Sequence, residues 1–240
     1  MKKNRCYHLS YCSVCKNRTF NLQNGIICKL TNEQANFSDY CLDYTLDNEK
    51  IKQIKNDISS KIESDFCNNS LISTFGNVGK YKELTPSKTS KYNSKKNTHG
   101  LKLGKNKFLA PMFILFAVSF LVMIIKGAID NEKIANFQNA GLAILILCVP
   151  FLWFGVKQLL DNKIYIETSD KLLMLNGYII AWNDILVVGF SELHTGKGPS
   201  SINMVIGTKT RGLIVTNIDN IQISHQEIAD IIFLNQNTNT

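Results

Sequence analysis

Two long apolar stretches in the middle of the chain constrain its fold more than any other feature. Residues 108–125 (FLAPMFILFAVSFLVMII) and 140–156 (AGLAILILCVPFLWFGV) contain no charged side chain. About 20 apolar residues cross a bilayer core, and side chains at the helix ends can reach the interface. The alternative is a pair of buried helices in a large core, but neither stretch has a polar face. The sequence therefore predicts a transmembrane hairpin (108–160), with spans at 108–126 and 139–159.

The positive charge of the chain is concentrated just before the first apolar stretch. The chain has 27 Lys and Arg against 19 Asp and Glu, a net charge of +8, and segment 77–107 alone holds nine lysines and one acid. The other residues are therefore balanced, so the charge does not indicate a nucleic-acid partner. Positive flanks mark the cytoplasmic face of a span. We expect an integral protein of the inner (cytoplasmic) membrane, with both termini cytoplasmic.

Segment 76–107 is rich in Lys, Ser, Thr, Asn and Gly and has no hydrophobic periodicity. This composition predicts a basic disordered linker. Lysines beside a span are attracted to anionic headgroups of the bilayer by about 1 kcal/mol each near the surface. A plain topology signal and solvated spacer is the alternative. The lysines predicted to face lipid are Lys95, Lys96, Lys102, Lys105 and Lys107.

Five of the seven cysteines lie within the first 41 residues, which predicts a small Cys-rich module at 1–45. Cys12-Ser-Val-Cys15 is a C-x₂-C knuckle, and Cys28 and Cys41 follow after twelve residues each. Asn24-Gly25, which lies between Cys15 and Cys28, predicts a tight hairpin. Four thiolates close a tetrahedron around Zn²⁺ without an open position, so such a site is structural. Cys6 and His8 are further ligand candidates.

Other chemistry remains open for these cysteines. Disulfides are disfavoured because the predicted topology places the segment in a reducing compartment. A redox pair at the C-x₂-C would need a βαβ context, which the sequence lacks. A redox role and unliganded thiols stay as alternatives to zinc.

The cysteine pattern resembles a short N-terminal module of bacterial two-span membrane proteins. The matching residues are Cys12-Ser-Val-Cys15-Lys-Asn17-Arg18-Thr-Phe20, Gly25-Ile-Ile-Cys28-Lys-Leu-Thr31, Ala35-Asn-Phe37 and Cys41-Leu-Asp43-Tyr44. The resemblance implies a zinc-binding-type module of unassigned function that uses Cys12, Cys15, Cys28 and Cys41. No catalytic residue comes with it.

Segment 47–67 has one apolar stripe at helical spacing, formed by Ile51, Ile54, Ile58, Ile62 and Phe66. This spacing predicts an amphipathic helix. Its stripe would pack on the zinc module or on a second copy of the helix, or alternatively lie on the membrane surface.

The C-terminal segment 162–235 changes to short β runs. Asn176-Gly177 predicts a second tight hairpin, and Ser224-His-Gln-Glu227 fits a capping box that opens a final helix. These signals predict a small, strongly curved antiparallel sheet or barrel closed by one helix.

This segment loosely resembles the bacterial PH-like domains that follow two-span hairpins. The likeness rests on Phe154-Gly155, Leu159-Leu160-Asp161, Ile164-x-Ile166, Asn176-Gly177 and Trp182-Asn183-Asp184-Ile185. It implies a binding or scaffolding domain, and the residues agree, because His194 and His225 form no recognisable nucleophile–base pair. The loop 191–201, with Lys197, is a solvated connection or a lipid or partner contact.

The fold class expected from the sequence is thus a multi-part membrane protein. It combines a zinc-ribbon-like β module, a two-helix transmembrane hairpin and a PH-like β domain with one helix. We expect a non-enzymatic anchored protein that displays both modules to an unidentified protein partner, with a homo-oligomer as one option. The alternatives are a zinc- or redox-responsive membrane sensor and an accessory subunit of a membrane enzyme or transporter.

Overall fold

The computed structural model describes residues 2–67, 80–87, 92, 98–130, 148–193, 201–219 and 221–237. The chain forms two compact units, Met1–Leu103 with Tyr165–Thr240, and Gly104–Ile164. The first unit contains α1 (Lys2–Cys12), β1 (Arg18–Asn21), β2 (Gly25–Cys28), α2 (Asn48–Ile62), β3 (Tyr81–Glu83), β4 (Lys102–Leu103), β5 (Ile166–Thr168), β6 (Leu172–Leu175), β7 (Tyr178–Ala181), β8 (Ile185–Leu193), β9 (Ser201–Thr208), β10 (Gly212–Asn217) and α5 (His225–Asn237). The second unit contains α3 (Leu109–Asp130) and helical residues 148–160, named α4.

The larger part of the first unit is a β domain of two four-stranded antiparallel sheets. The strand orders are β10-β9-β8-β3 and β4-β5-β6-β7, and α5 contributes to the same hydrophobic core. Trp182 is fully buried and donates from Nε1 to the carbonyl of Ser169 at 2.8 Å. Ile228, Ile231 and Ile232 of α5 are at most 1 % exposed, so one face of α5 is buried in the core.

The sequence signals for tight turns and for the helix cap are confirmed. Asn176 and Gly177 both have positive φ (47° and 87°) and join β6 to β7 directly, as a type I′ turn requires. Ser224 and Glu227 form the predicted capping box, with the Ser224 amide 2.8 Å from the Glu227 carboxylate. The Asn24-Gly25 hairpin is also present, because β1 pairs with β2.

The predicted basic linker 76–107 is wrong at two places, where the chain forms edge strands. Tyr81–Glu83 pairs with β8, and Lys102–Leu103 pairs with β5. Leu84 and Leu103 are buried in the core. These strands have only three and two residues, and charged edge strands are common because lysine discourages further pairing. For this reason the lysine-rich composition did not indicate these two strands. Residues 88–91 and 93–97 lie outside the described residues.

The contact between β3 and β8 gives a first prediction. A Cβ at Gly189 would lie 2.3 Å from Cε2 of Tyr81, so Gly189→Ala forces the ring to move. We expect this substitution to reduce the free energy of unfolding by about 1–3 kcal/mol, as overpacking does. Denaturant titration measures it. In a Tyr81→Ala background the cost of Gly189→Ala should largely vanish; an equal cost in both backgrounds would contradict the steric explanation.

The amphipathic helix at 47–67 is confirmed as α2, followed by a π-helical turn at Glu63–Cys67. Asp47 caps it by accepting from the Lys50 amide at 3.1 Å. Ile58 and Ile62 are buried, and α2 contacts β10 of the β domain. The stripe therefore packs on the β domain, which the sequence interpretation did not include.

In the second unit, α3 and α4 pack antiparallel. Phe151 contacts Phe113 and Phe116, with ring centroids 6.0 and 5.7 Å apart. Gly155 permits close approach, since a Cβ there would lie 2.7 Å from Ile114. Large apolar side chains elsewhere on the pair are exposed, including Phe108, Met123 and Trp153.

The predicted transmembrane hairpin is wrong. Among the residues that the structure describes, no helix has both the length and the apolar character needed to cross a membrane. The predicted spans at 108–126 and 139–159 are corrected accordingly, together with the membrane fold class and the inner-membrane location with both termini cytoplasmic. Residues 131–147 lie outside the described residues.

Candidate metal centre

The four cysteines singled out by the sequence line one cavity of about 330 Å³. Cys12 is the last residue of α1, Cys15 lies in the turn that follows, and Cys28 ends β2. Cys41 comes from the loop between β2 and α2. Aromatic side chains such as Tyr11, Phe37 and Tyr44 also line the cavity, together with polar and charged ones such as Glu33 and Asp43. The β1–β2 hairpin and α1 thus bring together thiols that are far apart in sequence.

The thiols influence one another electrostatically. The pKa of the Cys12 thiol is raised to about 11, first by burial and then by Cys15, Cys41 and Cys28, because neighbouring thiolates repel a new negative charge; Arg5 opposes this shift. The Asn17 amide donates to Sγ of Cys15 at 3.4 Å. Without a cation, these thiols disfavour ionisation. A bound cation would stabilise them as thiolates.

The donor set fits zinc, but the positions of the donors are not those of a closed site. Sulfur is a preferred zinc ligand, at about 2.3 Å in a tetrahedron. Within the described part of the chain, no three His, Cys, Asp or Glu side chains form a group that could hold a metal ion. The four thiols therefore share a cavity without meeting around one point.

Cys6 and His8, the further ligand candidates, do not line this cavity. Sγ of Cys6 lies 3.6 Å from Nη2 of Arg211 on the β domain. Nε2 of His8 lies 2.8 Å from the carbonyl of Phe37. Both side chains thus have structural contacts away from the thiols. The cysteine side chains that the structure describes are free thiols: Cys6, Cys12, Cys15, Cys28, Cys41 and Cys148.

The Cys-rich segment is joined to the β domain by polar contacts, and both belong to the first unit. Ser10 Oγ donates to Oδ1 of Asn183 at 2.6 Å. Lys171 Nζ lies 2.8 Å from Oδ1 of Asp39 and also donates to the carbonyl of Ser38. The loop that carries Cys41 is therefore held by a lysine next to β6. Nothing in the local sequence indicates this link.

The lysines predicted to face lipid contact protein groups wherever the structure describes them. Lys102 pairs with Glu167 at 3.5 Å, and Lys105 pairs with Asp161 at 3.6 Å. Lys107 Nζ donates to the carbonyl of Leu159 at 2.6 Å. These three do not form a free tether, because acids distant in sequence lie beside two of them. Lys95 and Lys96 lie outside the described residues.

Among the remaining candidates, the structure describes His225. His225 stacks on Phe190 with ring centroids 4.1 Å apart, and burial lowers the pKa of its imidazole. His194 and Lys197 lie outside the described residues, as does most of the loop 191–201.

No family model, curated protein or solved structure matches this chain. The resemblances to the bacterial Cys-rich module and to PH-like domains therefore stay predictions. The predicted partners, an unidentified protein and a second copy of the chain, stay predictions as well.

Proposed function

We propose that the chain is a non-enzymatic binding protein in which a zinc-stabilised Cys module is built onto an antiparallel β domain. The observation that supports this proposal is the cavity lined by Cys12, Cys15, Cys28 and Cys41. Four thiolates saturate a tetrahedral ion and leave no position for substrate or water, so the metal would be structural.

A structural ion has a clear task in this segment. Residues 13–47 have few buried apolar side chains among the described residues, chiefly Val14 and Ile27. Zinc would join the end of α1, the end of β2 and the Cys41 loop, which otherwise depend on hydrogen bonds and aromatic contacts. In small modules of this kind metal binding supplies much of the folding free energy.

Metal analysis of the full chain tests the proposal. We expect one zinc per chain in reduced protein. Cys12→Ser and Cys28→Ser should each reduce the zinc content to below about a tenth, because loss of one ligand removes much of the apparent 10–16 kcal/mol of such sites. Cys6→Ser and Cys148→Ser are matched controls and should keep the metal. Absence of zinc in reduced wild-type protein, or equal loss in the controls, would refute the Cys₄ assignment.

A redox-responsive function is the second candidate, favoured by the partial exposure of Cys12, Cys28 and Cys41. In this case mild oxidation would release zinc and join pairs of these thiols. Mass spectrometry after oxidation distinguishes the two: a purely structural site should keep its metal, and a sensor should lose it reversibly.

A further inference from the structure

A second cavity, of about 520 Å³, lies between the Cys-rich segment, α2 and the turn that joins β9 to β10. Its volume is in the range of small-molecule sites. It is separate from the thiol cavity, although Arg18 lines both. We call it the basic cavity, because Arg18, Lys50 and Lys209 line it and none of the described lining residues is acidic.

The charges of these three residues are only partly balanced. Arg18 is engaged, with Nη1 2.8 Å from Oδ2 of Asp47 and 2.7 Å from the carbonyl of Cys15. Lys50 Nζ contacts a neutral acceptor, Oε1 of Gln53, at 3.0 Å. Two lysines and one arginine with a paired guanidinium therefore line the same space.

Lys209 is placed where a positive charge is costly. Burial lowers the pKa of its ammonium, and Asp184 opposes this shift. The Asp184 carboxylate is itself bound by the amide and the hydroxyl of Thr210, at 3.1 and 2.6 Å. A second anion beside Lys209 would compensate the cost of its desolvation.

Ser13 gives an independent indication of a ligand. Ser13 is one of the residues that line the basic cavity and is only 9 % exposed, and its buried Oγ has no hydrogen-bond partner among the described residues. A buried hydroxyl without a partner is uncommon, because its desolvation is not repaid. An anion held by the lysines would accept from this hydroxyl.

We propose that the basic cavity binds a small phosphate monoester whose organic part is apolar. The cavity offers the remaining N–H groups of two lysines and one hydroxyl, which suit the charge and several oxygens of a phosphate. A carboxylate would instead suit a guanidinium fork whose two nitrogens are both free, and Nη1 of Arg18 is already bound to Oδ2 of Asp47. Leu9, Ile26 and Ile54 line the same cavity and provide an apolar wall for the ester group.

Calorimetric titration of the zinc-loaded full chain tests this proposal, with phenyl phosphate and inorganic phosphate as probes. We expect saturable binding of both, with phenyl phosphate the tighter, and weaker binding at higher salt. Lys50→Met and Lys209→Met should each weaken phenyl phosphate about tenfold or more, since a charged hydrogen bond contributes at least that factor. Ser13→Ala should weaken it less.

Lys55→Met is the matched control, because Lys55 is exposed on the same helix and does not line the cavity. It should bind as the wild type does. Should Lys209→Met not fold, the half-exposed Lys50 decides the question. The proposal is overturned if neither probe binds saturably, if Lys50→Met binds normally, or if Lys55→Met weakens binding as much as Lys50→Met. Zinc content is measured on the same samples, so failure of the metal site is seen separately.

Discussion

Removing zinc from the full chain with a chelator is expected to destabilise the β domain as well as the Cys-rich segment. If the free zinc concentration is about a thousand times the dissociation constant, removal of the metal lowers the free energy of unfolding by about 4 kcal/mol. For a unit of this size that corresponds to a decrease of the thermal midpoint by about 10 °C. The expectation depends on the proposed zinc site and on the contacts that join the two parts.

The contacts that transmit the effect lie next to a fluorescent reporter. Ser10 of α1 binds Asn183, which follows Trp182 directly. Trp182 is buried in the β domain, so its emission reports unfolding of that domain. The chain has two tryptophans, and a Trp153→Phe background leaves Trp182 as the sole emitter. Thermal unfolding is then followed with and without chelator.

A metal-free variant provides the control. Cys28→Ser should already have the lower midpoint, and chelator should not change it further. If chelator removes zinc from the wild type and the Trp182 transition stays in place, the Cys-rich segment and the β domain unfold independently. That result would contradict the coupling while leaving the metal site intact.

The parts of this fold that were predictable are those with local signals. The Asn176-Gly177 turn needs two residues with positive φ, and few residues other than Asn and Gly accept this. The capping box at Ser224 and the isoleucine stripe of α2 are equally local. The placement of four cysteines around one cavity was also predictable, because a knuckle and a hairpin carry three of them, although the thiols do not meet around one point.

What the sequence did not reveal depends on contacts between distant segments. Helix α1 has no apolar stripe, and its place is set by pairs such as Ser10 with Asn183. The strand at Lys102–Leu103 exists because β5 offers an edge, not because two residues prefer to be extended.

The same limit explains two errors. One is the basic linker predicted from charge, and the other is the pair of membrane spans predicted from hydropathy. Counting lysines before residue 108 gives a net charge but not the positions of Asp161 and Glu167, which neutralise part of it. Uninterrupted apolar composition correctly indicated helices at α3 and 148–160. Composition alone did not establish that either helix crosses a membrane.

Replacing Ile58 by Asp is expected to have the largest effect of any single substitution on α2. Ile58 is 2 % exposed and packs against Gly207 of β9, where a Cβ would lie 2.9 Å from its Cγ2. The absence of a side chain at Gly207 lets the helix approach the sheet. A carboxylate at position 58 would be buried without a partner or would separate α2 from the β domain. We expect a loss of about 3–5 kcal/mol in the free energy of unfolding, by Trp182 fluorescence in denaturant.

Ser59→Asp is the matched control, because Ser59 is the next residue and is exposed. It adds the same charge to the same helix and should change the free energy of unfolding by no more than about 0.5 kcal/mol. The comparison distinguishes the packing of α2 on the β domain from the two surfaces that the sequence suggested for it. If the stripe served self-association or an external surface, the Ile58→Asp and Ser59→Asp variants would show the same unfolding transition of Trp182. A clear difference between the unfolding curves of the two variants would show that Ile58 packs in the core of the β domain.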